Sequence, residues 1–513
     1  MKRPFHHWLL AVYPVLVLYS INADQTPWST AAWPMAMVLA AAAAGYFGVS
    51  VLLKDRWKAS LLVTLFAVLF FSFGHVHALV YRFLIDLDWD TASQFDVPHF
   101  VLRHDTMWEL AALWLVLLLW GAWSILDGEE KRRKRLCGFL NVLSVALVGV
   151  SLLWAISGRV NASSATAAIA GSRASATAAA RMPENRPDIY YIILDGFARE
   201  DVFREHYDHD LGWFTDRLRA KGFTVVPRSR ANYEWTFLSL ASSLNMDYVD
   251  SLVDELGRRS RDRRRAYAMI RDNRVSQYLH TLGYRTVHLN STWGGTMTNP
   301  FADIEIGCRR GVFQVEFYRV LLESTVLALV DTRVTDDLAQ CHLHNLEQLR
   351  QMGSMRGPKF VFCHFVPPHH PYLFDRDGNV LRNVTVSNQF QLQKRLWADR
   401  KSYLDQAVFM GRSIDGVVEN ILRESRVPPI IIIQSDHGPD IAGSDHHRAR
   451  LASFLAVHLP GGAELLPPDE TPVNLFPRIF NHYFQADLPI REAKHYASSY
   501  NAPYAFRKMT FDQ

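Results

Sequence analysis

The sequence has little net charge, no evident cleavage site behind its first apolar run, and no visible internal repeat. Its 513 residues carry a formal net charge of only +4. Proteins that bind nucleic acid concentrate basic charge, so this small excess argues against such a partner. The first apolar run, Trp8 to Ile21, is not followed by the small-residue site of a signal peptide. We therefore interpret this run as a membrane span that stays in the protein.

What the sequence has instead is apolar residues crowded into its first 157 positions. Most of the runs there reach the roughly 20 residues that a spanning helix needs, and only the first is short. We expect residues 1–157 to form a transmembrane domain of five helices. The predicted spans are Trp8 to Ile21, Trp28 to Leu53, Ala59 to Ile85, Trp108 to Leu126 and Phe139 to Ile156.

The charges of the connecting loops predict the orientation of these spans. Basic residues occur at 2–3, 54–58 and 131–135, which fall on one side if the spans alternate. The positive-inside rule makes that side cytoplasmic, and the loops at 23–27 and 86–105 are acidic or neutral. Five spans then leave the N-terminus in the cytoplasm and everything after residue 156 outside. We expect a multi-pass protein of a bacterial inner (plasma) membrane with a periplasmic C-terminal domain.

The region after the spans divides into a linker and one large domain. Alanine, serine and threonine dominate the start of residues 158–186, which is typical of a linker or a weak helix. From residue 187 to 513 strand and helix patterns alternate, as expected for an α/β domain.

Three of the four cysteines lie in this outer domain, where an oxidising compartment permits a disulfide. Cys363 lies in the apolar run Phe360 to Phe365, which favours a buried thiol. Cys308 and Cys341 are therefore the pair that we predict, although spacing alone leaves the connectivity open.

Two apolar runs end in candidate metal ligands. Residues 188–194 lead into Asp195-Gly, and residues 430–435 lead into Asp436-His437-Gly. Such runs predict strands buried on both faces, and α/β folds build their sites at the carboxyl ends of parallel strands. Asp, Asp and His suit zinc or manganese more than calcium. The pattern indicates a metal-dependent enzyme acting on phosphate or sulfate esters, and the alternative for Asp195-Gly is a plain turn.

Thr236 is the candidate nucleophile, because it opens an amphipathic helix. A hydroxyl there lies near the positive end of the helix dipole, and a bound metal would lower its pKa further. The alternative is that Thr236 only caps the helix.

Histidines follow another predicted strand, in a loop stiffened by proline. His364, His369 and His370 could bind the non-bridging oxygens of a phosphoryl group or protonate a leaving group. The alternative is that they are surface residues of a turn. Trp293, on a glycine-containing loop, is either a substrate contact or an ordinary loop residue.

The order of these motifs resembles that of the alkaline phosphatase and sulfatase superfamily. The matching strings are Ile-Leu-Asp195-Gly, Thr236 on a following helix, Pro-His369-His-Pro-Tyr and Ser-Asp436-His437-Gly. With its membrane anchor, the chain is similar to the branch that includes lipoteichoic acid synthases, phosphoethanolamine transferases and the phosphoglycerol transferases of periplasmic glucans. The resemblance implies an alkaline-phosphatase-like (sulfatase-like) domain at 187–513, with a central mixed, mostly parallel sheet.

Carried over position by position, the resemblance implies one divalent metal ion, zinc or manganese. The implied ligands are Asp195, Thr236, Asp436 and His437, with Thr236 also the nucleophile. The residues implied around them are His369 at the anion, with His364 and His370 as supporting or leaving-group residues. Asp445, His446 and His447 lie too close in sequence to form a second metal site, so we expect one ligand or a substrate contact there, and take His447 as the substrate contact.

Two departures from the superfamily's patterns narrow the chemistry. No cysteine of the outer domain lies in the Cys-x-Pro-x-Arg context that sulfatases mature into formylglycine, and no Asp-x-x-x-His set of the two-metal enzymes occurs after residue 187. A single-metal transferase fits better. We expect it to move phosphoethanolamine or phosphoglycerol from a membrane phospholipid to an envelope glycan or lipid, through a phosphothreonine. The alternatives are a sulfatase-like phosphodiesterase or sulfuric ester hydrolase, and a non-catalytic membrane binding module.

Overall fold

The computed structural model describes residues 3–23, 28–92, 105–172, 186–308, 316–329, 334–381, 397–441, 443, 445–462 and 465–511. Parts of two predicted loops, 24–27 and 93–104, and part of the predicted linker, 173–185, lie outside these residues. The chain divides into two units. One takes in Met1–Ala167 with Val315–Asp331, and the other takes in Ala168–Gln314 with Thr332–Gln513.

The first unit begins with five helices, one for each predicted apolar run. They are α1 (His6–Ile21), α2 (Trp28–Leu53), α3 (Arg56–Ala92), α4 (Asp105–Asp127) and α5 (Glu130–Ser172). By length and composition, four of the described helices can cross a membrane, at Trp28–Leu53, Arg56–His77, Trp108–Asp127 and Glu130–Ser157. With 16 residues, α1 falls short of the roughly 20 that a span needs. The count of five spans therefore stays a prediction.

Two features of the first unit differ from the predicted domain layout. The α5 helix continues to Ser172, so much of the predicted linker is helical. The unit also takes in α12 (Glu316–Glu323) and a 3-10 turn at Val326–Leu329, which the sequence placed within the outer domain. That this segment belongs to the first unit could not be predicted from the sequence, because its apolar run is too short to indicate a membrane span.

The second unit is built on a sheet of seven strands, which is mixed and mostly parallel as the resemblance implied. Its spatial order is β2-β7-β6-β1-β5-β3-β4, and five neighbouring strands from β6 to β4 are parallel. The strand β7 is antiparallel to both of its neighbours, β6 and β2. The strands are β1 (Ile189–Leu194), β2 (Phe223–Val225), β3 (Arg285–Leu289), β4 (Ile304–Ile306), β5 (Lys359–Phe365), β6 (Ile430–Gln434) and β7 (Leu455–His458).

Helices cover both faces of this sheet, and a two-stranded hairpin completes the unit. The helices are α6 (Glu200–Tyr207), α7 (Gly212–Ala220), α8 (Thr236–Asn245), α9 (Ser251–Leu256), α10 (Arg264–Arg271), α11 (Arg274–Thr281), α13 (Val334–Gln351), α14 (Arg400–Glu424), α15 (His446–Leu451) and α16 (Pro472–Phe484). The hairpin pairs β8 (His495–Ser499) with β9 (Ala502–Met509). The central strands β1, β5 and β6 are buried along their whole length, because apolar side chains point to a core on each face.

The cysteines are arranged as predicted. Cys308 and Cys341 form a disulfide, and Cys363 is a buried free thiol on β5.

Candidate active site

The carboxyl end of β1 delivers the first candidate ligand. Asp195 is buried, and its backbone N–H donates to the carbonyl of Phe365, 2.9 Å away. Gly196 follows with a φ of +67°, and a Cβ at this position would lie 2.7 Å from Cη2 of Trp397. A residue without a side chain is therefore required, since both the left-handed backbone and the close ring exclude a larger one. The interpretation of Asp195-Gly as a turn is correct for the backbone, but it does not describe the buried carboxylate.

The neighbouring strand β6 brings two more candidate ligands to the same place. Asp436 and His437 follow its end and are almost completely buried, and Oδ1 of Asp436 accepts the N–H of Gly196 at 3.1 Å. A second contact comes from α8, where the hydroxyl of Ser239 donates to the carbonyl of Asp436 at 2.7 Å. One ligand atom from each of Asp195, Asp436 and His437 lies within 4.8 Å of the others.

Hydrogen bonding fixes the form of His437 in this cluster. Its Nδ1 lies 2.8 Å from the carbonyl of Gly438, which can only accept, so Nδ1 carries the proton and Nε2 has a lone pair. Nε2 lies 3.3 Å from Oδ2 of Asp436 and 3.7 Å from Oδ1 of Asp195. Neither carboxylate oxygen has a hydrogen-bond partner among the described residues. Three electron-pair donors thus converge in a buried place.

The electrostatics of the cluster indicate a cation. Burial, and then the charge of Asp195, raise the pKa of Asp436 to about 7, and burial also raises the pKa of Asp195. Burial, followed by Arg450, holds the pKa of His437 well below its usual value. Two facing carboxylates repel each other unless a cation lies between them, and two oxygens with one nitrogen form a donor set that zinc or manganese accepts. The residues present therefore fit a divalent metal ion.

Thr236 contributes its hydroxyl to this cluster. It is the first residue of α8, and Oγ1 lies 3.2 Å from Nε2 of His437, to which the hydroxyl can donate. Trp235, not Thr236, occupies the N-cap position, and no side chain caps the helix there. The capping alternative is therefore wrong for Thr236.

The three histidines of the β5 strand and its loop lie around Asp195. His364 is buried between the hydroxyl of Thr296, 2.8 Å from Nδ1, and Oδ2 of Asp195, 3.5 Å from Nε2. The backbone N–H of His369 donates to the carbonyl of Asp195 at 3.1 Å. Burial lowers the pKa of His364 to about 4 and lowers those of His369 and His370 as well.

The rings of His369 and His370 lie next to each other beside the cluster. Their rings lie 4.1 Å apart, and that of His369 meets the Trp397 ring edge-on at 4.9 Å. Nδ1 of His369 donates to the carbonyl of His370 at 2.6 Å, which leaves Nε2 to face a ligand or a proton. Nε2 of His370 is buried with no partner among the described residues. Of the pair, only His369 bonds directly to Asp195.

The two remaining predicted residues, Trp293 and His447, lie one shell further out. The Trp293 ring packs edge-on against His364, with centroids 5.6 Å apart, and has no direct contact with the ligand cluster among the described residues. His447 lies on α15, and its Nδ1 pairs with the buried carboxylate of Glu234, two residues before Thr236. Trp293 thus borders His364, and His447 borders Glu234.

Arg450 is a residue of this site that the sequence did not reveal. It is buried on α15, its Nε donates to the carbonyl of Glu234 at 3.0 Å, and its Nη2 donates to Nε2 of His437 at 3.3 Å. Its guanidinium also lies over the Trp235 ring at 4.8 Å, and Nη1 has no partner among the described residues. The only signal was an arginine in the segment after Asp436-His437, and Arg448 lies in the same segment. Burial, which marks this one, is not visible in the sequence.

No family model and no curated protein matches the chain. Solved structures do. The C-terminal periplasmic domain of EcEptC from Escherichia coli, in complex with zinc, is 9% identical at a TM-score of 0.43, over 64% of this chain and 94% of that one. The lipooligosaccharide phosphoethanolamine transferase A (EptA) from Neisseria meningitidis is 12% identical at a TM-score of 0.38, over 93% and 95%. The putative sulfatase yidJ from Bacteroides fragilis is 12% identical at a TM-score of 0.36, over 61% and 77%. The solved structures similar to this chain thus include phosphoethanolamine transferases and sulfatases, the kinds of protein that its motifs resemble.

Proposed function

We propose that the chain is a metal-dependent transferase that moves a phospho-headgroup, phosphoethanolamine or phosphoglycerol, from a membrane phospholipid to an envelope glycan or lipid. The observation that carries the proposal is the hydroxyl of Thr236, 3.2 Å from Nε2 of His437 in a cluster with Asp195 and Asp436. A hydroxyl held against a set of metal ligands is the arrangement expected of an activated nucleophile.

These four side chains would hold one zinc or manganese ion. When bound, the metal would lower the pKa of the attacking hydroxyl and offset negative charge on the phosphoryl group. Thr236 gains further support from its position, because it opens α8 at the positive end of the helix dipole and no side chain caps the helix there. This position favours an alkoxide over the neutral hydroxyl.

Arg450 and His369 are the side chains that we assign to the phosphoryl oxygens. Arg450 is held by the carbonyl of Glu234 and by the Trp235 ring, neither of which competes with a metal, so its Nη1 is presented without further ordering. Charge-assisted hydrogen bonds from a guanidinium stabilise an anion more strongly than neutral donors do. His369 is held by its backbone bond to Asp195, and its protonated form would donate from Nε2.

The reaction that we propose has two displacements at phosphorus. In the first, Oγ1 of Thr236 bonds to the donor's phosphorus, the bond to the diacylglycerol oxygen breaks, and the threonine proton ends on the released diacylglycerol. In the second, an acceptor hydroxyl bonds to phosphorus, the bond to Oγ1 breaks, and the acceptor's proton ends on Thr236. The enzyme is restored, and no proton is consumed overall. His364 and His370 are candidates for carrying the proton between these oxygens.

The domain layout of the proposal follows the sequence. Residues 1–157 would form five spans with the N-terminus in the cytoplasm, 158–186 would connect, and 187–513, apart from the segment Val315–Asp331 of the first unit, would form the catalytic domain in the periplasm of a bacterial inner membrane. Both the lipid donor and the modified product can then remain at the bilayer surface. Trp293 and His447 are proposed as substrate contacts at the margin of the site.

The test is a transfer assay with the full chain in proteoliposomes that contain phosphatidylethanolamine or phosphatidylglycerol labelled in the headgroup. We expect diacylglycerol release and label transfer when envelope glycolipid is added, and loss of both in Thr236→Ala. Thr281→Ala changes an exposed helical threonine and is the matched control. Release of many diacylglycerols per chain without acceptor, beyond the single one that loading of Thr236 accounts for, would identify a phosphodiesterase instead. No release with any donor or metal would leave the binding module as the better account.

A further inference from the structure

A short segment far along the chain belongs to the unit of membrane helices. Residues 316–329, comprising α12 and the 3-10 turn, lie in the first unit, although the residues before 315 and after 331 belong to the second. We call this segment the strap. Nine of the thirteen residues from 317 to 329 are apolar. Such a composition is unusual for a surface loop of a water-soluble domain.

The strap packs against the membrane helices themselves. Phe317 is buried in a cluster with residues of α1, α2 and α5, and Tyr318 and Leu321 pack against the same cluster. The members of the cluster from the helices include Val15, Leu16, Tyr19, Ala31, Met35 and Ala155. These contacts are apolar, so the strap packs on the helices as a further element of the bundle.

A glycine of α3 marks the closest approach. The N–H of Gly74 donates to the carbonyl of Ser324 at 3.1 Å, although Gly74 lies inside a helix. A Cβ on Gly74 would meet the carbonyl oxygen of Glu323 at 1.8 Å. Only a glycine therefore lets the strap's backbone reach the helix. Thr325, buried beside this point, accepts the N–H of Leu327 and so starts the 3-10 turn.

The position of the strap along the helices indicates that it lies within the thickness of the membrane. Gly74 is roughly 27 Å along α3 from Arg56, at 1.5 Å per residue. Val15 lies about 9 Å before the end of α1 by the same rise. Both distances leave the strap inside the apolar length of the helices, at the end opposite the basic loops. Leu327 remains exposed there.

A disulfide connects the chain before the strap to the chain after it. Cys308 and Cys341, which form the disulfide, lie on either side of the strap in sequence, 33 residues apart. The cross-link shortens the free chain through which the strap must find its place, so docking costs less conformational entropy.

We propose that the strap is a re-entrant membrane element whose partner is the lipid of the leaflet at this end of the bundle. Its inner face binds the helices, and Leu327 faces acyl chains. Ile21 and Trp28, at the ends of α1 and α2 away from the basic loops, are exposed apolar residues as well. The second unit is then tied to the membrane in the middle of its sequence as well as at its start. This inference is independent of the reaction proposed above, because it rests on packing and depth alone.

The test is a depth measurement with a nitroxide label at Leu327→Cys, in the full chain reconstituted in lipid nanodiscs. The native cysteines do not compete, since two are buried and two are disulfide-bonded. Leu119→Cys, on an exposed face of α4, is the lipid reference, and Ile490→Cys, exposed in the second unit, is the aqueous reference. We expect the label at 327 to collide with oxygen more than with a water-soluble nickel complex, as at 119. Collision behaviour like that at 490 would overturn the proposal.

A second measurement tests the docking contact. Gly74→Ala should push the strap away and raise nickel accessibility at 327 several-fold, while the better helix propensity of alanine supports α3 itself. Gly48→Ala is the matched control, because a Cβ added at this helical glycine would have no atom within 4 Å. Equal nickel accessibility at 327 in the two variants would show that docking of the strap does not depend on Gly74. That result would contradict the proposal.

Discussion

The candidate metal cluster predicts a stability that depends on a cation. Asp195 and Asp436 are buried side by side, with one oxygen of each lacking a partner among the described residues, so removal of a bound metal leaves two facing carboxylates. We therefore expect a chelator to destabilise the wild-type protein. Asp436→Asn should lose this response, because it removes one ligand charge. The amide oxygen can still accept the N–H of Gly196, so the fold itself should survive.

The size of the effect follows from linkage. A metal that binds only the folded state at a concentration 100 times its Kd stabilises it by about 2.7 kcal/mol. In a domain of this size, 1 kcal/mol moves the Tm by roughly 2 °C, so chelation should lower the Tm by about 5 °C. In Asp436→Asn the metal response should fall below about 1 °C at the same concentration. Without metal, the variant should be at least as stable as the wild type, because the repulsion from Asp195 is gone.

The assay is differential scanning fluorimetry of the full chain in detergent, after chelation and after addition of zinc or manganese. Asp377→Asn changes an exposed carboxylate and should keep the wild-type response. A wild-type Tm that changes with neither chelator nor added metal would refute the reasoning. So would a metal response of Asp436→Asn as large as that of the wild type.

Three further predictions concern single side chains. Gly196→Ala should destabilise the protein by about 2 kcal/mol, since it combines a left-handed alanine with a collision at Trp397; the readout is the Tm. Arg450→Lys should lower kcat/KM about 100-fold with little change in Tm, because an ammonium cannot reproduce the forked contacts near His437; the readout is the transfer assay. Burial lowers the pKa of His288 from 6.5 to about 4. Between these two pH values the folded state binds fewer protons than the unfolded chain, so the free energy of unfolding decreases as the pH falls from 6.5 towards 4. His288→Gln should remove about 2 kcal/mol of the loss between about pH 7.5 and about pH 5, measured as Tm against pH.

Each of these has a matched control. Gly461→Ala has the same left-handed backbone with no atom near its Cβ, so a loss equal to that of Gly196→Ala would disprove the role of the Trp397 contact. Arg448→Lys changes an exposed arginine of the same helix, and an equal rate loss there would contradict the assignment of Arg450. Unchanged pH dependence in His288→Gln would show that this histidine does not set the acid limit.

The strand ends could be predicted because their chemistry is local. The runs before Asp195 and Asp436 are apolar on both faces, which requires strands in a covered parallel sheet, and parallel strands place their carboxyl ends together. Thr236 followed from the same logic, as a hydroxyl at a helix start. The pairing of Cys308 with Cys341 also followed, once the apolar surroundings of Cys363 set it aside.

The parts that escaped prediction depend on long-range packing. Arg450 is distinguished from neighbouring arginines only by its burial against Glu234, which no local pattern encodes. Trp397 approaches Gly196 across a sequence separation of about 200 residues. The strap is too short to predict a span, and its close approach to α3 at Gly74, where a Cβ would collide with Glu323, joins residues about 250 apart in sequence.

The central claim is that Thr236 carries the phospho-headgroup between donor and acceptor. The most direct measurement is peptide mass spectrometry of the full chain after incubation with phosphatidylethanolamine and phosphatidylglycerol in the absence of an acceptor. We predict a phosphoethanolamine or phosphoglycerol ester on Thr236, within the tryptic peptide 231–258, that disappears when acceptor is added. An ester on another residue, or a Thr236→Ala protein that transfers headgroups at the wild-type rate, would contradict the account.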